Sequence, residues 1–138
     1  MDEKTTAIVL NWNNYADTSR CVRSLQRIDD GSVSIIVVDN GSTDDSGDRL
    51  DYEFEDVTVV SNETNRGFGG GMNVGIEVAL EAGSDYVWLL NNDVVIPEPT
   101  VLNHLLVPMR HDEDVGAVSP LIREPNDDVW FVSGYIDE

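Results

Sequence analysis

Short apolar runs recur along the chain, and polar segments separate them. Four of these runs are five to seven residues long: residues 5–11, 33–39, 57–61 and 86–91, of which the first three are rich in β-branched side chains. Runs of this length and composition predict buried strands. Two later segments have a similar character and are further strand candidates, residues 115–122 and 129–134.

Apolar positions at helical spacing lie between the predicted strands. They indicate helices over residues 18–28, 44–50 and 70–81, and a fourth from about residue 101. Asp17 or Thr18 is suited to cap the first of these helices. Pro108 is expected to end or kink the fourth, because proline lacks the backbone N–H that a helix interior uses.

A few large or sulfur-containing side chains have predicted places in the core. Leu80 is expected on the inner face of its helix, and Trp88 and Trp130 in the core. Trp12 follows the first strand, where it either lines a ligand cleft or packs. The single cysteine, Cys21, excludes an internal disulfide and is expected to pack on a helix face as a small apolar residue.

The alternation of strands and helices predicts an α/β fold. Its expected form is a three-layer, Rossmann-like arrangement with a mostly parallel central sheet flanked by helices. The 138 residues suffice for a real core, because a chain near this size buries roughly 70% of its unfolded surface. Residues 1–138 are therefore expected to form a single domain.

Polar side chains follow all four main strands. In chain order they are Asn11, Asn13 and Asn14, then Asp39, Asn40 and Ser42, then residues 62–71, then Asn91, Asn92 and Asp93. The carboxyl ends of parallel strands meet at one edge of a sheet, and ligands bind beyond that edge. Because polar groups are costly to bury unpaired, this convergence predicts a binding site.

Two carboxylates in this set point to particular chemistry. Asp93 can bind a hard cation such as Mg²⁺ or Mn²⁺, and a turn cap is the alternative role. Asn91 and Asn92 can add amide contacts without adding charge. Asp39 can accept hydrogen bonds from a nucleobase or a ribose, and capping of the next helix is its alternative role.

The glycine-rich segment "NRGFGGGMNVG" is not a dinucleotide fingerprint. Met72 stands where that fingerprint needs glycine or alanine, and the segment follows the third strand instead of the first. It also lacks the Lys-Ser/Thr pair of a P-loop. Its glycines allow close approach of backbone to a ligand, and it opens a helix whose N-terminus favours phosphate. The alternative is a flexible turn without a ligand.

The charge balance excludes some classes of partner. The chain has 27 acidic and 8 basic residues, a formal net charge of −19. This argues against nucleic acid bound through a basic surface and against an anionic membrane surface. Dispersed acidity favours a protein from a salt-loving organism that folds best in molar salt, because salt screens the self-repulsion. An acidic protein from a mesophile is the alternative.

The sequence also favours a cytoplasmic location. No stretch approaches the roughly 20 apolar residues of a membrane span. The first residues, "MDEKTTAIVLN", include acids and enter a strand at once, so they do not resemble a signal peptide.

Four segments together resemble a known family. They are "IVLNWNNYADTSRCVRSL", "IIVVDNGSTDDS", "NRGFGGGMNVGI" and "YVWLLNNDVVIPEPTV". Their order and content are similar to family 2 glycosyltransferases with the GT-A fold, especially the rhamnosyltransferase-like branch. The resemblance implies transfer of a sugar from a nucleotide diphosphate to an acceptor, usually with inversion. It also implies Mg²⁺ or Mn²⁺ as cofactor, a glycan or lipid-linked glycan as acceptor, and work at the inner face of the membrane.

The resemblance also implies roles for individual residues. Nucleoside contacts fall on the loop after the first strand and on the end of the second: Asn11, Asn13, Tyr15, Asp39, Asn40 and Ser42. The diphosphate or sugar side falls on Asn65, Gly67, Gly70 and Asn73, together with Asn91 and Asn92. Asp93 matches the final carboxylate of the metal motif. Asn91 replaces an acid common elsewhere in the family, and Met72 replaces a frequent arginine.

No residue is assigned as the catalytic base. Family members usually continue well beyond this length, into a half with acceptor contacts and a catalytic aspartate, so the chain resembles the donor-binding half alone. One alternative is a nucleotide-binding module that acts with a partner, a missing half or an oligomer. A nucleotidyltransferase is a second alternative, but its early glycine-rich loop with a basic residue is replaced by "NWNNY".

Overall fold

The computed structural model describes residues 3–28 and 33–131. Strands and helices alternate in the order β1 Thr5–Asn11, α1 Tyr15–Leu25, β2 Val33–Asp39, α2 Ser46–Glu53, β3 Thr58–Ser61, α3 Gly67–Glu81, β4 Tyr86–Asn91, α4 Val101–His111, β5 Ile122–Arg123 and β6 Val129–Phe131. They group into two units, Met1–Pro99 and Thr100–Glu138. The expectation of one domain stays a prediction. In the described ranges, no helix is both long enough and apolar enough to cross a bilayer.

The first unit is built on a four-stranded parallel sheet in the order β3-β2-β1-β4. Strand β1 lies between β2 and β4, and its register places Asn11 beside Asp39 and Leu10 beside Asn91. The carboxyl ends of these three strands therefore meet at one edge. The predicted α/β class, with a parallel central sheet flanked by helices, is confirmed.

Helices cover both faces of this sheet. Helix α3 packs on the face that presents Ile8, Ile36 and Val38, where Met72 and Ala79 complete a buried cluster. Side chains alternate between faces along a strand, so Asn11 points to the face opposite Ile8. Its amide contacts residues of α1 and α2, which places these two helices on that second face.

Several helix boundaries differ from the prediction, among them the end of α1 at Leu25 and both ends of α2. Helix α1 begins at Tyr15, because the Asn14 side chain accepts from the Asp17 N–H at 3.3 Å and caps the helix three residues earlier than predicted. Helix α3 begins at Gly67 instead of residue 70. Leu80 is 59% exposed, so its predicted place on the inner face of α3 is wrong. Cys21 is fully buried on α1, as predicted.

The second unit departs most from the predictions. Helix α4 contains Pro108 and continues to His111, so the proline does not end it. Of the strand predicted over residues 115–122, only Ile122 is in a strand; Pro120, just before it, has no N–H to donate. Residues 132–134 of the other predicted strand lie outside the described ranges. Trp130 is 65% exposed and not in the core. In the first unit, Trp88 is half-buried.

The amino end of β1 offers a test of a buried hydroxyl. Thr5 is 1% exposed, and within residues 3–28 and 33–131 its Oγ1 is the buried side-chain polar atom without a hydrogen-bond partner. An unsatisfied buried hydroxyl costs about 1–3 kcal/mol. Thr5→Val is therefore expected to raise the free energy of unfolding by about 1 kcal/mol, measured by urea denaturation.

Thr6 provides the matched control for this substitution. It is buried to the same extent, but its Oγ1 lies 2.6 Å from the Ser84 Oγ. Thr6→Val removes this partner and is expected to lower stability. Equal effects of the two substitutions would contradict the assignment of the Thr5 hydroxyl as unsatisfied.

Candidate functional site

Asn11, the last residue of β1, is the centre of a buried polar network. It is fully buried. Its Nδ2 donates to the Asp39 Oδ1 at 2.9 Å and to the Ser46 Oγ at 2.9 Å. Its Oδ1 accepts from the Thr18 hydroxyl at 2.8 Å. Asn11 thus joins the end of β1 to α1, β2 and α2, and its predicted nucleotide contact stays a prediction.

Asp39 ends β2 and is 8% exposed. Besides Asn11, its Oδ1 accepts from the Ser42 hydroxyl at 2.5 Å. A Cβ at Gly47 would lie 2.6 Å from the Asp39 Oδ2, so this glycine lets the first turn of α2 approach the carboxylate. Asp39 is thus held in one orientation by β1, by the loop after β2 and by α2.

Asn40 links the end of β2 to the glycine-rich segment. It is 2% exposed, and its Nδ2 donates to the Asn65 Oδ1 at 3.0 Å and to the Gly67 carbonyl at 3.1 Å. Its Oδ1 accepts from the Arg66 N–H at 3.0 Å and from the Asn62 Nδ2 at 3.1 Å. Like Asn11, it positions a loop instead of presenting its amide to solvent.

Asn13 joins the loops that follow β1 and β2. Its backbone has a φ of 50°, a left-handed conformation that asparagine tolerates. Its N–H donates to the Ser42 Oγ at 2.9 Å, and its Oδ1 accepts from the Thr43 N–H at 2.7 Å. These bonds fix the two loops relative to each other. Trp12 precedes them and is 54% exposed.

Tyr15, the first residue of α1, packs against α2. Its hydroxyl donates to a Glu53 carboxylate oxygen, and the Arg49 guanidinium carbon lies 3.6 Å from the centroid of its ring. Arg23 also pairs with Glu53. The Tyr15 hydroxyl, followed by Arg23, holds the pKa of Glu53 below its usual range. The half-buried Tyr15 side chain is therefore directed to α2.

The remaining predicted residues of the glycine-rich segment are more open. Asn65 and Gly67 are exposed, Gly70 is half-buried, and Asn73 is exposed on α3. The Asn65 Oδ1 accepts from the Gly67 N–H at 2.8 Å. The segment thus forms the first turn of α3 and presents its backbone to solvent.

The turn after β4 is anchored to α1. Asn92 is half-buried, and its Nδ2 donates to the Thr18 Oγ1 at 3.0 Å. The Asn91 carbonyl accepts from the Val94 N–H at 3.3 Å and from the Cys21 thiol at 3.8 Å. Asn91 and Asp93 are both exposed. The structure therefore holds this turn in place and leaves the Asp93 side chain open to solvent.

The Cys21 thiol lies beneath this turn. Burial, followed by the negative charge of Asp93, raises the pKa of Cys21 to about 12. The thiol is therefore neutral near pH 7 and acts as a small apolar residue.

The donor set fits a cation that shares its ligands with a phosphate group. In the part of the chain that the structure describes, no group of three or more His, Cys, Asp or Glu side chains can hold a metal ion. Asp93 offers one exposed carboxylate. Mg²⁺ and similar cations use one or two protein carboxylates and take their other ligands from water and substrate phosphates. The residues thus suit a cation held jointly with a ligand.

Sequence reasoning missed two members of the network. The sequence predicts Thr18 only as a helix cap, and Ser46 only as a residue of the helix over residues 44–50. Both are fully buried and contact the Asn11 amide. Their hydroxyls are marked by no sequence pattern, because the contacts depend on how α1 and α2 pack on the sheet.

Two surface concavities are lined by other residues. One, of about 790 Å³, is lined by residues of α2 and the following turn, and the other, of about 340 Å³, by α1 and its neighbours. Neither concavity is lined by a predicted site residue. The convergence of polar groups, and not cavity size, identifies the strand ends as the candidate site.

Solved structures share the fold. The mannosyltransferase PcManGT from Pyrobaculum calidifontis, in complex with GDP-Man and Mn²⁺, is 24% identical with a TM-score of 0.75, covering 92% of this chain and 37% of that one. TarS 1–349 from S. aureus, in complex with UDP-GlcNAc, is 20% identical with a TM-score of 0.65, covering 88% and 38%. These are GT-A glycosyltransferases.

A curated relative and a family model extend the comparison. The N-acetylglucosaminyl-diphospho-decaprenol L-rhamnosyltransferase of Mycobacterium tuberculosis is 28% identical over an alignment of 138 positions, which covers 94% of this chain and 45% of the relative. The chain thus spans less than half of that protein. The model of Glycosyl transferase family 2 matches residues 6–135. The predicted resemblance is confirmed, and the chain belongs to glycosyl transferase family 2.

Proposed function

We propose that this chain binds the donor of a glycosyltransferase reaction, a nucleoside diphosphate sugar, together with Mg²⁺ or Mn²⁺. One observation supports this most: polar groups at the ends of β1, β2 and β4 meet at one edge, where the turn after β4 presents the exposed carboxylate of Asp93. Family membership supports the reaction class. The GDP-Man, Mn²⁺ and UDP-GlcNAc in the solved relatives support the ligand class.

The nucleoside side of the site consists of the loops after β1 and β2. Asp39 is the residue proposed to accept hydrogen bonds from the base or ribose, and Asn13 and Tyr15 form the adjacent wall. Asn11 and Ser42 hold the Asp39 carboxylate through bonds of 2.9 and 2.5 Å. Their role is to fix the direction of the acceptor before the ligand arrives, which lowers the ordering cost of binding.

The diphosphate and sugar side is the first turn of α3. The first N–H groups of a helix lack intrahelical partners and favour an anion. Gly67 and Gly70 add no side chain that would keep a phosphate away, while the exposed Asn65 and Asn73 amides can donate hydrogen bonds. Asn40 fixes this segment against β2.

Asp93 is proposed to hold the divalent cation, with the Asn91 and Asn92 amides beside the ligand. Asp93 would hold a cation that, when bound, would supply electrostatic stabilisation of the diphosphate leaving group. Asn92 orients the turn through Thr18. The exposed Asp93 carboxylate is thereby presented on a turn that is fixed to α1.

Transfer to the acceptor, with inversion, is part of the proposal for the whole enzyme. The acceptor class is a glycan or lipid-linked glycan, which the N-acetylglucosaminyl-diphospho-decaprenol specificity named for the rhamnosyltransferase relative supports. A binding module without catalysis is the second candidate. It is favoured because Glu124, Asp127 and Asp128 are all exposed, whereas a general base at neutral pH is usually tuned by burial.

Incubation of the 138-residue chain with several nucleotide sugars, Mn²⁺ and a mixed acceptor extract tests both candidates. Calorimetry is expected to show Mn²⁺-dependent binding of a nucleoside diphosphate. Release of that diphosphate is expected to be slow, because no residue is assigned as the general base, and general base catalysis contributes about 10²–10⁴-fold to a reaction rate. Rapid acceptor-dependent release would reject the binding-only candidate, and absence of any nucleotide binding would overturn the proposed function.

A further inference from the structure

The Thr18 hydroxyl lies between the two sides of the proposed site. It accepts from the Asn92 Nδ2 at 3.0 Å, at the turn that presents Asp93. It donates to the Asn11 Oδ1 at 2.8 Å. The Asn11 Nδ2 in turn donates to the Asp39 Oδ1 at 2.9 Å. Three consecutive hydrogen bonds therefore connect the turn after β4 with the carboxylate at the end of β2.

The hydrogen bonds of this connection require a hydroxyl group at position 18. A hydroxyl has one proton to donate and lone pairs to accept. Because the Asn92 Nδ2 and the Asn11 Oδ1 require an acceptor and a donor respectively, a hydroxyl satisfies both at once. Thr18 and Asn11 are fully buried and Asp39 is 8% exposed. Water therefore has little access to replace a missing partner along most of the connection.

Helix α1 gives the connection a rigid support. Thr18 and Cys21 are three positions apart on this helix and so share a face. Cys21 contacts the Asn91 carbonyl at 3.8 Å, while Thr18 contacts the Asn92 amide at 3.0 Å. The turn after β4 is thus attached to α1 at two adjacent points, one of which is Thr18.

We propose that Thr18 is a positioning residue that couples the cation side of the site to the nucleoside side. This inference rests on the proposed function. Asn92, Thr18 and Asn11 hold the turn at Asp93 and the Asp39 carboxylate in one arrangement relative to each other. A ligand bound at one side narrows the motion left to the connected groups, so the other ligand loses less conformational entropy and the two bind cooperatively.

The test is the binding of UDP and GDP, with and without Mn²⁺, by calorimetry. The measured quantity is the ratio of the Kd without Mn²⁺ to the Kd with Mn²⁺. Thr18→Val keeps the shape of the side chain and removes the hydroxyl. It is expected to lower this ratio about fivefold or more, a typical size for coupling between sites. Thr18→Ser keeps the hydroxyl and is expected to retain most of the ratio.

Thr5→Val is the matched control, because it makes the same change at a buried threonine whose hydroxyl has no partner among the described residues. It is expected to leave the ratio unchanged. Thermal unfolding without ligand shows whether each variant is folded. Should Thr18→Val not fold, Asn92→Ala takes its place, because it removes the outer hydrogen bond from a half-buried position.

The outcomes separate this inference from the proposed function. A lowered ratio in Thr18→Val or Asn92→Ala, with Thr18→Ser and Thr5→Val close to wild type, supports the coupling role. A wild-type ratio in a folded Thr18→Val variant, or in Asn92→Ala when that variant replaces it, overturns the inference and leaves the proposed function standing. A wild-type chain that binds neither UDP nor GDP overturns the proposed function and this inference together.

Discussion

Asp93→Ala is expected to weaken Mn²⁺-dependent binding of a nucleoside diphosphate by about a hundredfold, the upper range for groups that support a metal site. Binding without Mn²⁺ is expected to change little. The reason is that Asp93 is the exposed carboxylate on the turn after β4, and the described residues contain no cluster of three ligating groups that could replace it. Calorimetry over a Mn²⁺ series measures the effect.

Two further variants make this result specific. Glu98→Ala removes an exposed carboxylate five positions away and is expected to leave Mn²⁺ dependence intact, so it controls for the change in net charge. Asp39→Ala is expected to weaken binding of a nucleoside and of a nucleoside diphosphate alike, because Asp39 is proposed to contact the part that these two ligands share. Unchanged Mn²⁺-dependent binding in Asp93→Ala would exclude Asp93 as the cation ligand.

Gly75→Ala is expected to lower the free energy of unfolding by about 2 kcal/mol, within the usual range for an overpacked core. A Cβ at this position of α3 would lie 2.4 Å from the Ile8 Cγ2 and 3.1 Å from the Val38 Cγ2. Both methyl groups belong to β-branched side chains, which are stiff about χ1. Helix α3 must therefore shift away from the sheet, and urea denaturation measures the loss.

Gly69→Ala is the matched control in the same helix. A Cβ there meets nothing within 4 Å. Alanine is favoured over glycine in a helix interior by about 1 kcal/mol, so this variant is expected to be neutral or more stable. A Gly75→Ala protein as stable as wild type would contradict the close approach of α3 to β1 and β2.

The centre of the sheet could be predicted from the sequence because β1 and most of β2 are buried on both faces. Such strands are continuous apolar runs with clear ends, and the predicted bounds of β1 and β2 agree with the structure. The predicted bounds of β4 also agree, but exposed residues alternate along this edge strand, so its predicted burial is wrong. Strand β5 and the exposed Trp130 could not be predicted in this way. In the second unit, apolar residues such as Leu121 and Val129 are about half exposed, so an apolar run there does not indicate burial.

The candidate site was predictable in its location but not in its internal order. The pattern of polar residues after each strand placed the site at the carboxyl edge, and the observed register brings Asn11 beside Asp39. The pattern could not distinguish residues that contact a ligand from residues that hold other side chains in place. Asn11 and Asn40 are buried with protein partners, and only the packing of the helices determines this.

The central position of β1 has a consequence for the order of folding. Its partner β4 is distant in sequence, since Thr5 pairs with Tyr86, 81 positions later. Closing so long a loop costs chain entropy before any contact stabilises the pair, so strand pairings of this kind form late and slowly. During synthesis, one edge of β1 stays open until β4 has left the ribosome. The β1–β2 half of the nucleoside side can thus assemble early, while the turn at Asp93 joins it last.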